Sequence, residues 1–473
     1  MTLAETVGDD VLSTLPDHVS ALVALPGEPG YERCTPWNVA AQVQPAAVVF
    51  ATEPHHVAEA VRFAAGCGRR VTVQATGHGA IPIGPDAILV LTSAMTECVI
   101  DADARVARVS AGVRWQQVID AAAPYGLAPL CGSSTSVGVV GFLTGGGVGP
   151  LARSIGVSSD YVRSFDVVTG AGELLHVTPD EHADMYWGLR GGKATLGIVT
   201  AVEIELLPIP EFYGGAVYFD GAEAASVLRA WRDWCATLPE NVNTSIALQH
   251  LPPLPGVPEP LAGRLTVAVR YAALDDFAEA ATLLDPIRAA GTPVLDTVGV
   301  QPYAAIAAVH ADPVDPMPVH EEQTLLRELT SDAVDILLAA AGPGSASVQT
   351  IVEVRMLGGA FARQAEHSSA FCHRNAAYAV TTIGVLAGPT AQLVPAQAGA
   401  LGRALGRALA PWSTGGLMPN FAPSADPARM ARVYDEDTRH WLAALADRYD
   451  PEGVFRTGQV VRLPAPELPE KSL

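Results

Sequence analysis

The chain has 473 residues, 49% hydrophobic and 17% charged, a balance that excludes a disordered polypeptide and gives room for roughly two or three domains. Its 50 acidic and 29 basic residues leave a net charge of −21, which excludes nucleic acid and anionic membrane as partners, because both are held by cationic side chains. A small anionic substrate received by a local arginine cluster is not excluded.

Six cysteines (Cys34, Cys67, Cys98, Cys131, Cys235 and Cys372) are scattered without a C-x-x-C pair, the pattern of a reduced cytosolic protein. Met1-Thr2-Leu3-Ala4-Glu5 lacks the positive charge that opens a signal peptide, and no apolar run reaches the roughly 18–20 residues of a bilayer span. The expectation is a cytoplasmic protein.

Residues 46–52 form an apolar, strand-like run, and Pro54 then opens a helix on which Val57, Val61 and Ala64 share one face. Cys67-Gly68 ends that helix. Val71-Thr72-Val73 is a β-branched strand leading straight into Ala75-Thr76-Gly77-His78-Gly79. Residues 105–111 alternate as a half-buried strand, followed by a helical stretch over 115–123. A second glycine-rich segment runs from Ser134 through Val137, Gly138, Gly141, Thr144, Gly145, Gly146 and Gly147 to Gly149. Glycines this dense let a backbone approach a ligand and turn N–H groups toward phosphate oxygens. Neither segment completes the G-x-G-x-x-G fingerprint, and no G-x-x-x-x-G-K-[ST] loop occurs.

After Pro208 and Pro210 the pattern changes. Helical stretches over 222–238 and 324–341 alternate with strand-like runs over 264–271 and 348–356, which predicts an antiparallel sheet covered by helices. The proline-rich loop 311–318 reads equally as the lining of an entrance and as a rigid connector. A last helix over 428–448 precedes the Tyr449-Asp450-Pro451 turn. Within 351–357, alternation puts Glu353 and Arg355 on one face, with Gln349, and Val352, Val354 and Met356 on the other. Such a pair reads as an ion pair on a solvated face or as a pocket carboxylate with its cation. His250, His310 and His320 each read alone as surface or helix-end histidines, and no tight ligand spacing calls for a metal.

The two glycine segments also carry a resemblance, with four further stretches in register. These are Pro26-Gly27-Glu28-Pro29-Gly30-Tyr31 with Trp37-Asn38; Tyr186-Trp187-Gly188-Leu189-Arg190-Gly191-Gly192 through Leu196-Gly197-Ile198-Val199-Thr200; Leu357-Gly358-Gly359-Ala360; and Arg448 to Arg456 around Asp450-Pro451-Glu452-Gly453. Over about residues 26–460 the chain resembles the berberine-bridge-enzyme-like branch of the vanillyl-alcohol-oxidase and p-cresol-methylhydroxylase flavoprotein superfamily.

The resemblance implies an α+β fold. A two-part FAD-binding domain of the p-cresol-methylhydroxylase type (1–210 and 411–473) would flank a substrate domain (211–410) built on the helix-covered antiparallel sheet. It implies FAD bonded to His78 through an 8α-methyl–imidazole link. The cofactor would lie along Ala75, Thr76, Gly77, His78 and Gly79, along Ser134, Val137, Gly138, Gly141, Thr144, Gly145, Gly146 and Gly147, and at Gly197, Ile198 and Val199. Ser134 stands where the branch often has a second anchoring cysteine, so the link is single and Cys131 is a buried structural thiol. Lys193-Ala194 replaces small Gly or Asn residues, and Gly458 and Val460 stand where relatives carry asparagines. Glu353 is the implied general base with Arg355 beside it, and Tyr303 the implied substrate neighbour; no metal takes part.

The function so implied is an FAD-dependent oxidase of a small organic substrate, passing hydride to flavin N5 with O2 as electron acceptor. The Ala-, Gly- and Arg-rich, Lys-poor composition matches a high-GC bacterial proteome and a secondary-metabolite pathway. The alternatives are a flavin-dependent oxygenase that rearranges a polyketide and a non-catalytic flavin-binding protein. Monomer and homodimer both stay open.

Overall fold

A computed structural model describes residues 21–253, 256–386, 394–421, 423–424, 426–456 and 459–462. Strands β1 (Val23–Ala24), β2 (Ala47–Phe50), β3 (Arg70–Gln74) and β4 (Ala87–Leu91) form a sheet in the order β1-β2-β4-β3. β2 and β3 both run parallel to β4, so helix α1 (Pro54–Gly66) serves as the crossover between them. Pro54 sits in the first turn, where its missing N–H is no loss, and Val57, Val61 and Ala64 are buried as their spacing predicts.

A second, antiparallel sheet has the order β5-β6-β9-β7-β8, from β5 (Cys98–Asp101), β6 (Val106–Ser110), β7 (Val162–Val168), β8 (Leu174–Val177) and β9 (Ile198–Glu205). Trp115, at the start of α2 (Trp115–Ala122), is wholly buried and meets Phe142 edge-on at 5.6 Å. Phe142 belongs to the short helix α3 (Val139–Leu143), so this contact ties the second glycine segment to the core of the sheet.

The third sheet has eight strands, all paired antiparallel: β10 (Glu211–Asp220), β11 (Val242–His250), β12 (Leu265–Ala273), β13 (Pro293–Asp296), β14 (Gly299–Pro302), β15 (Val319–Leu326), β16 (Ile351–Met356) and β17 (Tyr378–Val385). Their order is β13-β10-β12-β11-β16-β17-β15, with β14 also pairing β10. Ile246, Leu248, Val352, Val354 and Val380 alternate onto one face and join a core with α4 (Ala224–Cys235), α5 (Ser331–Ala341) and Leu405 of α6 (Val394–Ala408). Each such side chain contributes roughly 1.5–3 kcal/mol by leaving water. The antiparallel, helix-covered sheet is as expected.

Two helix boundaries differ from the sequence reading. The stretch 324–341 begins as strand β15 and becomes helix only at Ser331, because the Thr330 hydroxyl accepts from the Ala333 N–H (3.2 Å) and caps α5. The stretch 428–448 is two helices, α7 (Pro427–Val433) and α8 (Glu436–Tyr449), with Asp435 capping the second through the Thr438 N–H (2.8 Å).

The tail comes back to the first sheet. Val71 donates to the Val454 carbonyl (2.9 Å), and Val454 and Phe455 share a core with α1, β2 and β4. Asp450, fully buried, fixes the turn by accepting from the Val454 and Phe455 N–H groups (2.8 and 2.9 Å) and from Arg462 (2.5 Å). Gly458 lies outside the described residues. Among the described residues no helix is long and apolar enough to cross a membrane.

Candidate active site

β3 delivers the first glycine loop at its carboxyl end. Gly77 adopts φ +75, and a Cβ there would sit 2.6 Å from Pro36, so the position admits only glycine without strain. Trp37 and Asn38 bind the loop backbone through the Thr76 and Gly77 carbonyls (3.1 and 3.3 Å). The Trp37 indole stacks on the His78 ring at 4.5 Å and 11°, and its Nε1 donates to Val314 (2.9 Å) in the proline-rich loop. That loop therefore closes over His78 through Trp37.

His78 Nδ1 lies 2.9 Å from the Thr76 hydroxyl, and Nε2 lies 3.2 Å from the Ser136 hydroxyl, which in turn meets Ser134 at 2.9 Å. The ring thus bridges the two glycine segments. Burial, then the nearby Arg114, pulls its pKa down to about 4 against the opposing pull of Asp312. The imidazole is neutral at pH 7 and keeps a nucleophilic lone pair.

The glycines of the second segment divide in two. A Cβ on Gly138 would make only ordinary contact with Ala75 and Thr76, and one on Gly79 or Gly141 would meet nothing within 4 Å. Those positions leave open space for a ligand. Gly145, Gly146 and Gly147 instead press against Asn420, Phe371 and Phe142. Their common cause is packing within the chain, which corrects the expectation that one cofactor explains all five. Val137 accepts from the Trp115 N–H (3.1 Å), and Thr144 accepts from the Gly191 and Lys193 N–H groups (3.1 and 2.9 Å). Lys193 holds φ +55, and its ammonium bonds to the Gly141 carbonyl (3.0 Å) and to Asn420. Burial lowers its pKa to about 8. Gly197 packs on the Val168 carbonyl, while Ile198 and Val199 point into the cores on the two sides of β9.

Opposite the helices, the large sheet presents a buried polar face. Cross-strand pairing sets Arg270, Ser245 and Arg355 in one row, Glu353, Thr381 and Gln323 in the next, and Gln249, Ile351, Ile383 and Glu321 in a third. Glu353 accepts from Ser245 (2.7 Å) and Arg270 Nη1 (2.9 Å), and lies 3.3 Å from both Arg355 Nη2 and His310 Nε2. Burial works to raise its pKa, but Arg355 and Arg270, then His310, hold the carboxyl well below the usual range. Arg355 is its partner, as the alternation predicts. A carboxylate so paired is a poor proton acceptor, which corrects the expectation for Glu353.

Two more expectations change, those for Tyr303 and Gln349, while Cys131 is buried as expected. Tyr303 is buried in the core, its hydroxyl spent on the Pro129 carbonyl and 3.5 Å from the Cys131 thiol. It is a packing residue. Cys131 is fully buried with its pKa pushed up to about 11 by that burial. Gln349 precedes β16 and gives its amide to the Ala398 carbonyl (2.7 Å) of α6, off the polar face.

The sequence reading missed Glu321, and it took buried His310 for a surface histidine. Glu321 is half-buried, and burial, then Asp312, raises its pKa to about 7 against His320 and Arg429. Only strand pairing reveals that it shares a face with Glu353. It also missed Glu53, His55 and His56 at the start of α1, whose possible metal-ligand atoms lie within 4.8 Å of one another.

Residues 45–178 match an FAD binding domain family, a span that includes both glycine loops. The chain is 26% identical over 464 residues to an (R)-6-hydroxynicotine oxidase of Paenarthrobacter nicotinovorans, covering 93% of this chain and 96% of that protein. An FAD-dependent monooxygenase of Penicillium terrestre is 26% identical over 56% of this chain, which spans about half of that relative's length (51%). Among solved structures, 6-hydroxy-D-nicotine oxidase from Arthrobacter nicotinovorans superposes with a TM-score of 0.79 at 24% identity, over 93% of this chain and 97% of that one. A Physcomitrella patens BBE-like variant gives 0.79 at 18% identity, over the same shares. With an FAD-binding match over the histidine and glycine loops, this protein is an FAD-linked oxidoreductase, and along nearly the whole chain its fold is similar to that of 6-hydroxy-D-nicotine oxidase and the BBE-like protein.

Proposed function

We propose that this protein is a cytoplasmic oxidase that carries FAD bonded to His78 and dehydrogenates a small organic substrate, with O2 as electron acceptor, in bacterial secondary metabolism. The carrying observation is the state of His78: neutral, stacked under Trp37, and hydrogen-bonded to both glycine segments. A nucleophile held in one orientation and kept unprotonated is what bond formation to an electrophilic carbon requires. When bound, FAD supplies the hydride acceptor.

The open backbone at Gly79, Gly138 and Gly141 takes the cofactor, with residues 1–210 and 411–473 as its domain and 211–410 as the substrate domain. The polar face of the large sheet takes the substrate. Glu321, with its pKa raised to about 7, replaces Glu353 as the proton acceptor, because it is ionised near neutrality yet still basic enough to take a proton. Arg355 and Arg270 keep Glu353 charged and the cluster fixed.

Mass spectrometry of the denatured protein tests the link: the chain should be heavier by one FAD less two hydrogens, one lost from the 8α-methyl and one from the imidazole, and His78→Ala should return the bare mass. The monooxygenase relative supports a second reading, insertion of oxygen. Stoichiometric H2O2 marks the oxidase, and labelled oxygen in the product marks the oxygenase.

A further inference from the structure

Between the polar face of the large sheet and residues 149–153 lies a small cavity, of about 20 Å³, lined by Asn243, Ser245, Arg270, His310 and Arg355 among others. Arg270, Arg355, His310 and Glu353 are each more than nine-tenths buried. Two guanidinium charges face one carboxylate there, so the cluster keeps one positive charge over. His310 adds none, since burial and then the two arginines keep it neutral.

The donors are in excess as well. Arg270 Nε, Arg355 Nη1 and His310 Nδ1 have no partner, although each is buried. Arg355 Nη2 meets His310 Nε2 at 3.0 Å, and a guanidinium has no lone pair to offer. Nε2 either accepts there or donates to Glu353 Oε1 at 3.3 Å, so only the two guanidinium N–H groups are fixed as donors. Two buried guanidinium N–H groups, on residues that line one cavity, thus have nothing to receive them. A water could receive both but leaves the charge in place.

We infer that this cavity receives the carboxylate of a small-molecule substrate. A carboxylate carries the missing negative charge, and its two oxygens offer about four acceptor sites to these donors. A guanidinium fork is shaped for such a group. Charge decides against phosphate: a singly charged carboxylate balances the one surplus positive charge, and a phosphate dianion exceeds it. The assignment to substrate rests on the proposed function, because Ser245, Arg270 and Arg355 of its lining stand on the same sheet face as Glu321.

Formate, with neutral formamide as its control, tests this on the FAD-loaded protein by calorimetry and thermal melting at constant ionic strength. Formate should bind, raise the melting temperature and perturb the flavin absorption band, while formamide does none of these. Arg355→Gln should weaken formate at least tenfold. Glu353→Gln, which removes the resident countercharge, should tighten it several-fold, an effect that mere structural damage does not produce. Glu321→Gln should leave formate affinity unchanged. Equal binding of formamide, indifference to Arg355→Gln, chloride binding as tightly as formate, or formate binding with no change in the flavin band would each overturn the inference. Failure of covalent attachment at His78 would sink the reading of the cofactor loop and leave the calorimetric result standing on its own.

Discussion

His78 is half-buried and Glu353 buried, both are polar, held by several hydrogen bonds and shifted to lower pKa, yet the shift leaves one neutral and the other charged. Around His78 the partners are hydroxyls and an indole face, so burial dominates and the ring loses its charge. Around Glu353 the partners are two guanidinium groups, so Coulomb attraction dominates and the carboxylate keeps its charge. The difference teaches how each group can serve. A neutral imidazole is available for bonding, whereas a carboxylate locked between cations organises a site and gives up its basicity.

The hardest test of that contrast is the removal of its first half. His78→Ala should abolish covalent flavin entirely while the fold persists, since the loop is held by backbone bonds to Trp37 and Asn38. Flavin still attached after denaturation would show that another residue bonds it.

The second half is sharpened by comparing the two glutamates of the polar face. Glu321→Gln should slow substrate-driven flavin reduction by roughly 10²–10⁴, the range for loss of a positioned base. In the unmutated protein the rate should fall about tenfold per pH unit below the pKa of about 7, because a base works only when deprotonated. That inflection should vanish in the variant. A rate independent of pH between 5 and 8 would remove Glu321 from the role.

Glu353→Gln should act mainly on stability. It strands two buried guanidinium groups without their counter-ion, a loss of about 3–5 kcal/mol, readable as a lower urea midpoint. Saturating formate should recover part of it. A variant as stable as its parent would mean that solvent reaches the arginines.

Much of the first sheet and its loop was legible because local signals suffice there. A β-branched strand, a glycine pair and a proline at a helix start each act within a few residues, so β3, the His78 loop and α1 fall where the pattern puts them. The two faces of β16 were legible for the same reason, as alternation is a local property. What each face meets was not. Tyr303 reaches Cys131 across 172 positions, and Glu321 joins Glu353 only through the intervening strand β17. His310 gains its depth from β12 and β16, which nothing in its own neighbourhood announces. The helix expected over 324–341 went astray because apolar Leu325 and Leu326 suit a buried strand as well as a helical face.

The mildest expected effect belongs to Cys131, and it closes the comparison from the other side. This thiol is buried like Glu353 but has no cation beside it, so burial outweighs the hydrogen bond from Tyr303 and raises its pKa to about 11. At pH 7 only about one molecule in ten thousand carries the thiolate, the form that attacks an electrophile. Cys131→Ala should therefore leave flavin attachment and the flavin spectrum unchanged. It removes a small buried side chain 3.5 Å from the Tyr303 hydroxyl, which keeps its bond to Pro129, so stability should fall by only about 1 kcal/mol. Peptide mapping of the parent protein gives the complementary check, with flavin on the His78 peptide and none on the Cys131 peptide. Flavin on Cys131 would require this buried thiol to ionise without a cation, against everything its surroundings supply.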